Sequence, residues 1–302
     1  MKFAIDEITI ENFKSICLLN SLKLKDINLL VGKNDTGKTN FLLFFEMLHN
    51  IAIGSFYRWQ INNDGFRNIV YNKKDLNENI YGKIKYNNDF LEISIDKNLN
   101  LNCHFVDKYF KDIVFYHFHD TSLTSGMRNY EIVEDDKILR TDASNIAPFL
   151  LKLKEHYKKE YNDVLNAVCL IMPFFHDFIL EPRKSGNKNE INLSWTQKGS
   201  DYPMQPCHLS DGSIRFICLA TTLLQPNPPA TIIIDEPELG LHSAAIVILA
   251  ELIQVASTRT QLIIATQSPA LIDQFGIEDI IVVNRENGSS TFKRLEEKSA
   301  IM

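Results

Sequence analysis

The amino-acid sequence predicts an α/β fold with a mixed sheet, and three observations support that prediction. From residue 209 onward, apolar strand-like runs alternate with helix-like segments, which is typical of a parallel sheet covered by helices. Residues 60–115 contain alternating polar and apolar runs such as "IYGKIKY" and "FLEISID", which indicate an antiparallel part. Near the N-terminus, a strand-like run leads through a glycine-containing turn into an apolar helix-like run.

The elements before residue 209 are predicted from the same patterns. Residues 3–31 are expected to form two strands, "AIDEITIENFKSI" and "INLLVG", and "TNFLLFFEMLHNIA" is expected to form a buried helix. The run "DIVFYHFHD" is a further predicted strand. Residues 144–176 are expected to be helical, because Leu150, Leu153 and Tyr161 share one helical face, and they belong to a helical insertion expected over residues 120–205.

Composition restricts the class of protein. The chain has 302 residues, of which 45% are hydrophobic and 23% charged, as in an ordinary folded protein. We expect a cytoplasmic location and no membrane partner, because no apolar run approaches the ~18 residues of a membrane-spanning helix and five cysteines form no CxxC pair. The net charge of −6 excludes a uniformly basic nucleic-acid binder but leaves a local basic groove open.

The run "GKNDTGKT" matches the phosphate-loop pattern G-x-x-x-x-G-K-[ST] and lies between a predicted strand and a predicted helix. In such a loop, backbone N–H groups surround phosphate oxygens and the helix N-terminus adds a positive dipole. Lys38 is predicted to reach the β- and γ-phosphates, and the Thr39 hydroxyl is predicted to bind Mg²⁺. The predicted nucleotide-binding residues of the loop are Gly32, Lys33, Asn34, Asp35, Thr36, Gly37, Lys38, Thr39 and Asn40.

The run "TIIIDEPELGLH" is predicted to supply the acidic half of the site. Four apolar residues indicate a buried strand, and two carboxylates follow at its end. Asp235 is predicted to hold Mg²⁺ through water, and Glu236 is predicted to polarise the attacking water as a general base. The alternative is an ordinary acidic turn, which the complete phosphate loop upstream disfavours.

A guanine nucleotide is an alternative ligand, because "NKKD" (Asn72 to Asp75) mimics the guanine-reading NKxD motif. The run follows the phosphate loop closely and precedes any magnesium-binding DxxG strand. We therefore interpret it as a polar turn.

The run "LSDGSIRF" precedes the acidic strand. Ser210 is a good helix N-cap, and the amides near Gly212 together with the helix dipole form an anion site with no phosphate of its own. The run resembles the signature of ABC-type ATPases, in the LSxG form rather than the transporter LSGGQ form. That resemblance implies that Ser210, Asp211 and Gly212 cap a nucleotide held by a second chain.

The resemblance extends over nearly all of residues 3–285. The chain resembles the RecF/SMC/OLD-like ABC-type ATPases of the AAA15/AAA_21 class, which show the following runs in this order: "ITIENFKSI", "VGKNDTGKTN", "FYHFHDTS", "LSDGSIRFICLATTLL", "IIIDEPELGLH" and "ATQSPALID". It implies a P-loop ATPase head that binds ATP with Mg²⁺ and forms a head-to-tail homodimer around ATP. Residues 206–302 are then the signature, Walker B and switch lobe of a single domain over 1–302.

Two further residues are assigned through this resemblance. Gln267 in "IIATQSP" occupies the strand end where transport ATPases usually carry a switch histidine. An amide can orient water or sense the γ-phosphate but cannot take a proton, so we expect slow hydrolysis. Lys14 in "ENFKSI" matches a basic residue that related ATPases place near the nucleotide. The alternative for Gln267 is a polar residue at a strand end without a role in the site, and the alternative for Lys14 is an exposed strand lysine.

The roles of four other residues stay open. His117 and His119 share a strand face, as metal ligands do, but further ligands are not evident. Their position corresponds to the glutamine loop that couples the nucleotide to the insertion in related ATPases, so they are candidates for that coupling role. The alternative is that they only pack within the fold or form a turn. Arg215 and Glu238 are either contacts across the dimer or surface charges.

The sequence therefore predicts an ATP-hydrolysing ABC-type ATPase. Members of the class act in DNA repair, chromosome maintenance or anti-phage defence, often with a partner nuclease, so we expect a nuclease or effector partner. The alternative is an ATP-switched scaffold that holds a toxin or nuclease with little turnover.

DNA is a second open partner, because lysines within 144–176 form either a solvated helix face or a DNA contact. The class often continues beyond the tail "STFKRLEEKSAIM", so we expect a shortened C-terminus.

Overall fold

A computed structural model of the chain describes residues 4–63, 65–71, 78–87, 89–103 and 108–296. The chain folds into two units. The first unit comprises Met1–Phe115, Pro229–Glu236 and Ser257–Met302, and the second comprises Tyr116–Pro228 and Pro237–Ala256. The run "NKKD", interpreted as a polar turn, lies outside the described residues.

The described secondary structure is mixed. The strands are β1 (Ile5–Phe13), β2 (Ile16–Lys23), β3 (Ile27–Val31), β4 (Ile80–Tyr86), β5 (Asp89–Ile95), β6 (Leu101–Cys103), β7 (Ile113–Tyr116), β8 (Glu131–Ile132), β9 (Phe175–Ile179), β10 (Arg183–Ser185), β11 (Lys188–Ile191), β12 (Ser194–Gln197), β13 (Ser200–Met204), β14 (Thr231–Asp235), β15 (Gln261–Thr266), β16 (Ile280–Glu286) and β17 (Ser289–Arg294). The helices are α1 (Lys38–Ala52), α2 (Phe56–Asn62), α3 (Phe66–Ile69), α4 (Ile146–His156), α5 (Lys158–Ile171), α6 (Asp211–Leu224), α7 (Ser243–Ser257) and α8 (Pro269–Ile272).

The first unit contains a six-stranded sheet of order β17-β16-β3-β15-β14-β7. Strands β16, β3, β15 and β14 pair in parallel, whereas β17 pairs antiparallel with β16. All six residues of β15 are buried, as expected for a strand in the interior of a covered sheet. The predicted mixed sheet is therefore confirmed.

The antiparallel part of the first unit is a five-stranded sheet of order β2-β1-β4-β5-β6. Its buried face packs with α1 in one hydrophobic core, and the rings of Phe13 and Phe44 meet edge to face at 5.3 Å between centroids. Gly82 of β4 is required at this interface, because a Cβ there would lie 2.5 Å from the Phe44 ring.

The prediction of one strand through "AIDEITIENFKSI" is wrong. The chain turns back at Lys14, so that β1 and β2 form an antiparallel hairpin with Phe13 opposite Ile16. Asn12 and Lys14 adopt positive φ angles of 57° and 49°, which L-residues other than Asn and Asp rarely do. The hairpin therefore forms without the glycine or proline that marks most turns.

The second unit contains helices and short strands. The helical run predicted within 144–176 is divided at Tyr157 into α4 and α5, and α5 packs against α6. Two three-stranded antiparallel sheets, β10-β11-β8 and β13-β12-β9, accompany the helices. The Tyr161 hydroxyl donates to the Asp177 carboxylate at 2.5 Å. Burial raises the pKa of Tyr161, so this hydroxyl remains a donor.

Among the described residues, no helix combines the length and apolar character needed to cross a bilayer.

Gln261 joins the two sheets of the first unit at the start of β15. The side chain is fully buried, its Oε1 accepts from the Ile5 amide at 3.0 Å, and its Nε2 donates to the carbonyls of Ile5 and Lys25 at 2.9 Å each. A polar side chain in this otherwise apolar strand is thus fully paired with main chain of the preceding sheet and loop.

We expect Gln261→Met to lower the free energy of unfolding by about 3 kcal/mol, because it keeps the side-chain volume but leaves buried main-chain groups unpaired. Urea denaturation followed by circular dichroism measures this change. Gln254→Met makes the same exchange at an exposed residue of α7 and should change the free energy by less than about 0.5 kcal/mol. A loss below about 1 kcal/mol for Gln261→Met would contradict the role assigned to these bonds.

Candidate nucleotide site and signature element

The phosphate loop runs from the end of β3 to the start of α1 and is packed tightly. Gly37 has a φ of 110°, and a Cβ on this residue would overlap the Ser290 hydroxyl. A Cβ on Gly32 would overlap the carbonyl oxygen of Val283. Both glycines of the predicted motif are therefore required by close approach to the β16–β17 hairpin.

Lys38 lies across its own loop. Its side chain is buried, and Nζ donates to the carbonyls of Gly32 at 2.6 Å and Lys33 at 2.9 Å. Thr36 is also buried, and its hydroxyl donates to the Lys33 carbonyl at 2.8 Å. Two main-chain oxygens of the loop thus bind one ammonium group, which keeps the loop closed and the positive charge of Lys38 within it.

Three strand ends meet at the same edge of the sheet. Asp235 pairs with Ala265, and Thr266 pairs with Val31, so the carboxyl ends of β14, β15 and β3 are level. The phosphate loop, the acidic pair and Gln267 each follow one of these strands directly. Ligands of parallel sheets bind at this edge.

Thr39 and Asp235 fit a magnesium ion. The Thr39 hydroxyl donates to Oδ2 of Asp235 at 3.3 Å, and both residues line one 520 Å³ cavity. A hydroxyl and a carboxylate from two elements thus converge on the space beside the phosphate loop. Oxygen ligands of this kind are those that Mg²⁺ prefers, with substrate phosphates and water completing the coordination.

Glu236 is held by Gln267. The amide Nε2 of Gln267 donates to Oε1 of Glu236 at 2.5 Å, and the Glu236 main-chain amide donates to the Ala265 carbonyl at 2.8 Å. Glu236 has a positive φ of 47°, a strained conformation that costs of order 1–3 kcal/mol and is concentrated at functional sites. The sequence places Gln267 near the reacting water, and the structure places its amide on the neighbouring carboxylate.

Arg285 lines the 520 Å³ cavity, although no sequence motif indicates it. The residues that line this cavity are Asn34, Asp35, Gly37, Lys38, Thr39, Asn40, Asp235, Glu236 and Arg285. Arg285 lies on β16 and extends toward the main-chain oxygen of Asp35. It belongs to no recognised pattern and is separated from the loop by about 250 residues, so only the sheet order brings it here.

A second cavity of 590 Å³ adjoins the first. It is lined by Lys14, Ser15, Asn40, Asn68, Val70, Tyr71, Arg285, Asn287 and Gly288. Asn40 and Arg285 line both cavities. The structure thus places Lys14 beside the predicted nucleotide site, at the tip of the β1–β2 hairpin.

Serine hydroxyls connect the loop to the hairpins around it. The Ser290 hydroxyl donates to the Thr36 carbonyl at 2.6 Å and shares a hydrogen bond of 2.7 Å with the Ser15 hydroxyl. The Asn40 side chain donates to Ser15 Oγ at 2.7 Å. Ser290 is fully buried. The chain of bonds therefore fixes the second half of the loop, at Thr36 and at Asn40.

The signature element lies entirely in the second unit. Ser210 caps α6, and its Oγ accepts from the Ser213 amide at 3.1 Å. Gly212 approaches Gly240 so closely that a Cβ on Gly212 would overlap the Gly240 carbonyl. Ser210 and Asp211 are exposed. The predicted N-cap is confirmed, and the glycine of the motif is explained by this approach.

Two buried arginines hold the signature element. Arg128 donates to the carbonyls of Thr121 at 2.9 Å, Pro206 at 2.5 Å and Leu209 at 3.0 Å, and to Oδ1 of Asp211 at 2.9 Å. The other arginine is Arg215, whose guanidinium donates to three carbonyl oxygens, those of Phe118, His119 and Leu239.

Arg215 differs from its predicted environment. Both alternatives for this residue, a dimer contact and a surface charge, require exposure, but only 6% of its surface is accessible. Burial lowers the pKa of its guanidinium, although the nearby Asp211 carboxylate acts in the opposite direction. His119 contributes its main-chain oxygen to this contact, and its ring lies 6.4 Å from that of His117.

The fold and the phosphate loop together define a P-loop ATPase. The family model AAA_21, described as "AAA domain, putative AbiEii toxin, Type IV TA system", matches residues 67–273. Since this match covers more than half of the 302 residues, the chain belongs to that family of ABC-like ATPases. A search of curated proteins finds no match to the sequence.

Solved structures show the same fold. The head of Smc bound to the C-winged helix domain of ScpA superposes with a TM-score of 0.70 and 13% identity, over 98% of this chain and 99% of that chain. The Smc head from Pyrococcus furiosus, with an extended coiled coil and bound to the C-terminal domain of ScpA, gives 0.64 and 14%, over 99% and 98%. The SMC head from Thermotoga maritima gives 0.55 and 13%, over 97% and 99%. The predicted ABC-type head fold is therefore confirmed.

We expect Ser290→Ala to weaken ATP binding about threefold to tenfold, because it removes the hydroxyl that holds the Thr36 carbonyl. Isothermal titration calorimetry with MgATP measures the affinity. Ser289→Ala is the matched control, since the Ser289 hydroxyl instead accepts from the Cys17 amide at 3.0 Å. Unchanged affinity in Ser290→Ala would show that the loop keeps its shape without this bond.

Proposed function

We propose that the protein binds and hydrolyses ATP as an ABC-type ATPase. One observation carries this proposal: Lys38, Thr39, Asp235 and Glu236 line one cavity at the carboxyl edge of the parallel sheet. Lys38 and the loop amides bind the β- and γ-phosphates. Thr39 and Asp235 hold Mg²⁺, which neutralises phosphate charge when bound.

The proposed general base is Glu236. Its carboxylate accepts the proton of the attacking water, and Gln267 fixes the orientation of that carboxylate through the contact with Oε1. One carboxylate oxygen is occupied by the amide, so Oε2 is the one that receives the proton. Gln267 has no second protonation state, so it positions Glu236 without exchanging a proton.

The adenosine part of ATP is assigned to the second cavity. Lys14 and Arg285 line this cavity, and Arg285 also lines the phosphate cavity. A guanidinium at the junction suits the phosphate nearest the ribose, because Arg binds phosphate with two parallel donors.

The signature is proposed to act on a second chain. Ser210, Asp211 and Gly212 form an exposed helix N-terminus whose amides and dipole favour an anion. In the proposed head-to-tail homodimer, this helix end caps the γ-phosphate of the nucleotide held by the partner chain.

We further propose that the dimer acts in anti-phage defence or DNA maintenance with a nuclease or effector partner. The family description, which names a type IV toxin–antitoxin system, supports the defence role. SMC heads bound to ScpA support a protein partner for this fold. The contact between Gln267 and Glu236 also favours a second candidate, an ATP-switched scaffold with little turnover. Retention of the partner with turnover below about one per minute, against typical enzyme rates of 1–10³ per second, would favour the scaffold.

We expect two substitutions to separate binding from hydrolysis. Lys38→Ala should weaken ATP binding about 100-fold or more, because it removes the ammonium group from the phosphate loop. Glu236→Gln should keep ATP binding, lower phosphate release about 100-fold or more, and accumulate an ATP-bound dimer. Calorimetry, phosphate release and light scattering measure these three quantities.

Controls are available beside both residues. Lys33→Ala removes an exposed lysine of the same loop, and Glu238→Gln makes the carboxylate-to-amide exchange two residues further on. Lys33→Ala should leave ATP affinity within about threefold, because the loop uses the main chain of Lys33 and its side chain is exposed. Glu238→Gln should leave the rate of phosphate release within about threefold. Normal turnover in Lys38→Ala or Glu236→Gln would refute the assignment of the site.

We expect Ser210→Arg to leave ATP affinity unchanged and to abolish the ATP-dependent dimer, because the long side chain fills the space of the incoming phosphate. Sedimentation with ATP in the Glu236→Gln background detects the dimer. Ser185→Arg, the same exchange on exposed β10, should leave it intact. A dimer that survives Ser210→Arg would show that another surface forms it.

A further inference from the structure

Asp211 places a carboxylate in the proposed phosphate-binding signature. The residue begins α6 directly after the Ser210 cap, and 69% of its side chain is exposed. A charge at this position repels a phosphate by about 1 kcal/mol at 4 Å in water, and by several times more where water is excluded. The LSGGQ form of the signature has glycine here, so this chain needs a compensation that the other form does not.

Arg128 contacts the Asp211 carboxylate from within the protein. Only 3% of the Arg128 side chain is exposed, and one terminal nitrogen lies 2.9 Å from Oδ1 of Asp211. It also donates to the main-chain oxygens of Thr121, Pro206 and Leu209. An arginine stays charged at every physiological pH, and a buried charge is stable only when it is paired or fully hydrogen-bonded.

Arg215 adds a second positive charge next to the same carboxylate. It lies one helical turn after Asp211 on α6, it is buried, and it interacts electrostatically with Asp211. Its guanidinium donates to the main-chain oxygens of Phe118, His119 and Leu239. Neutral carbonyls satisfy its donors but leave its charge uncancelled, so two guanidinium groups face one carboxylate.

We propose that Arg128 and Arg215 are positioning residues that compensate Asp211, so that the signature accepts the γ-phosphate of the partner chain's nucleotide. Asp211 in turn weakens this contact and keeps the ATP-bound dimer reversible. The inference rests on the proposed function of Ser210, Asp211 and Gly212 as a cap in trans.

The first experiment changes Asp211 alone, because an asparagine at this exposed position keeps an oxygen that can accept from Arg128 while removing the negative charge. The dissociation constant of the ATP-dependent dimer is measured by sedimentation in the Glu236→Gln background. Asp211→Asn should lower the constant at least threefold, since the two arginines then face the phosphate without an opposing carboxylate. The gain should shrink at 1 M salt, where the Debye length is about 3 Å.

A role of Asp211 as a mere anchor for Arg128 predicts the opposite sign, because loss of the anchor would loosen the cap. An unchanged or raised dissociation constant in Asp211→Asn would overturn the inference. Asp201→Asn, on exposed β13, makes the same change in net charge. It should leave the constant unchanged, and an equal gain there would show that net charge alone is responsible.

The second experiment tests Arg128 by rescue. Arg128→Met should raise the dissociation constant at least tenfold, and adding Asp211→Asn should return it to within about threefold of the starting value, because the uncompensated carboxylate is gone. Failure of this rescue in a folded protein would show that Arg128 only holds the backbone. If Arg128→Met does not fold, the sign of the Asp211→Asn effect decides.

The two proposals fail in different ways. If the Glu236→Gln chain with intact signature binds ATP but forms no dimer, the capping function itself is refuted, together with this inference. If that chain forms the dimer and Asp211→Asn does not tighten it, only the compensation by the arginines is refuted.

Discussion

The close packing of the phosphate loop against the β16–β17 hairpin is the constraint on which the nucleotide site depends. Gly37 leaves no space for a Cβ beside Ser290, and the Ser290 hydroxyl binds the Thr36 carbonyl. The loop thereby holds its backbone in one conformation before any phosphate enters. The same hairpin supplies Arg285, so it both shapes the loop and contributes charge to the cavity beside it. Preorganisation of this kind lowers the ordering cost of binding.

The motif residues could be predicted because their spacing is local or set by the sheet. Lys38 and Thr39 follow from eight consecutive residues, and Asp235 lies near them because β14 and β3 flank the same strand. Arg285 and Ser290 could not be predicted, since no spacing links them to the loop. The hairpin turn at Lys14 could not be predicted either, because no sequence pattern indicates a positive φ angle at a lysine. Arg215 looked like a surface charge because its partners are carbonyls, which every sequence contains.

The strained Glu236 and its contact with Gln267 connect the fold to the proposed hydrolysis of ATP. A positive φ at this position is retained because the flanking groups are fixed, with the Glu236 amide bonded to Ala265 in the neighbouring strand. A histidine in place of Gln267 could carry a proton away, whereas the amide only holds the carboxylate. Gln267 therefore orients the Glu236 carboxylate but does not relay a proton from it. This arrangement is consistent with the second candidate proposed above, an ATP-switched scaffold with little turnover.

In the second unit, two buried arginines hold the loops around the signature in place. Two arginines bind the carbonyl oxygens of the loops around the signature. Arg128 donates to the carbonyls of Thr121, Pro206 and Leu209. Arg215 donates to those of Phe118, His119 and Leu239. With these carbonyls bonded inward, the exposed start of α6 offers its amides and dipole to an anion. Burying a guanidinium costs several kcal/mol unless its donors and its charge are both matched. Carbonyls match the donors, and the Asp211 carboxylate opposes part of the charge, so the residues that hold this helix start rigid also leave positive charge beside it, as the proposed contact with a phosphate requires.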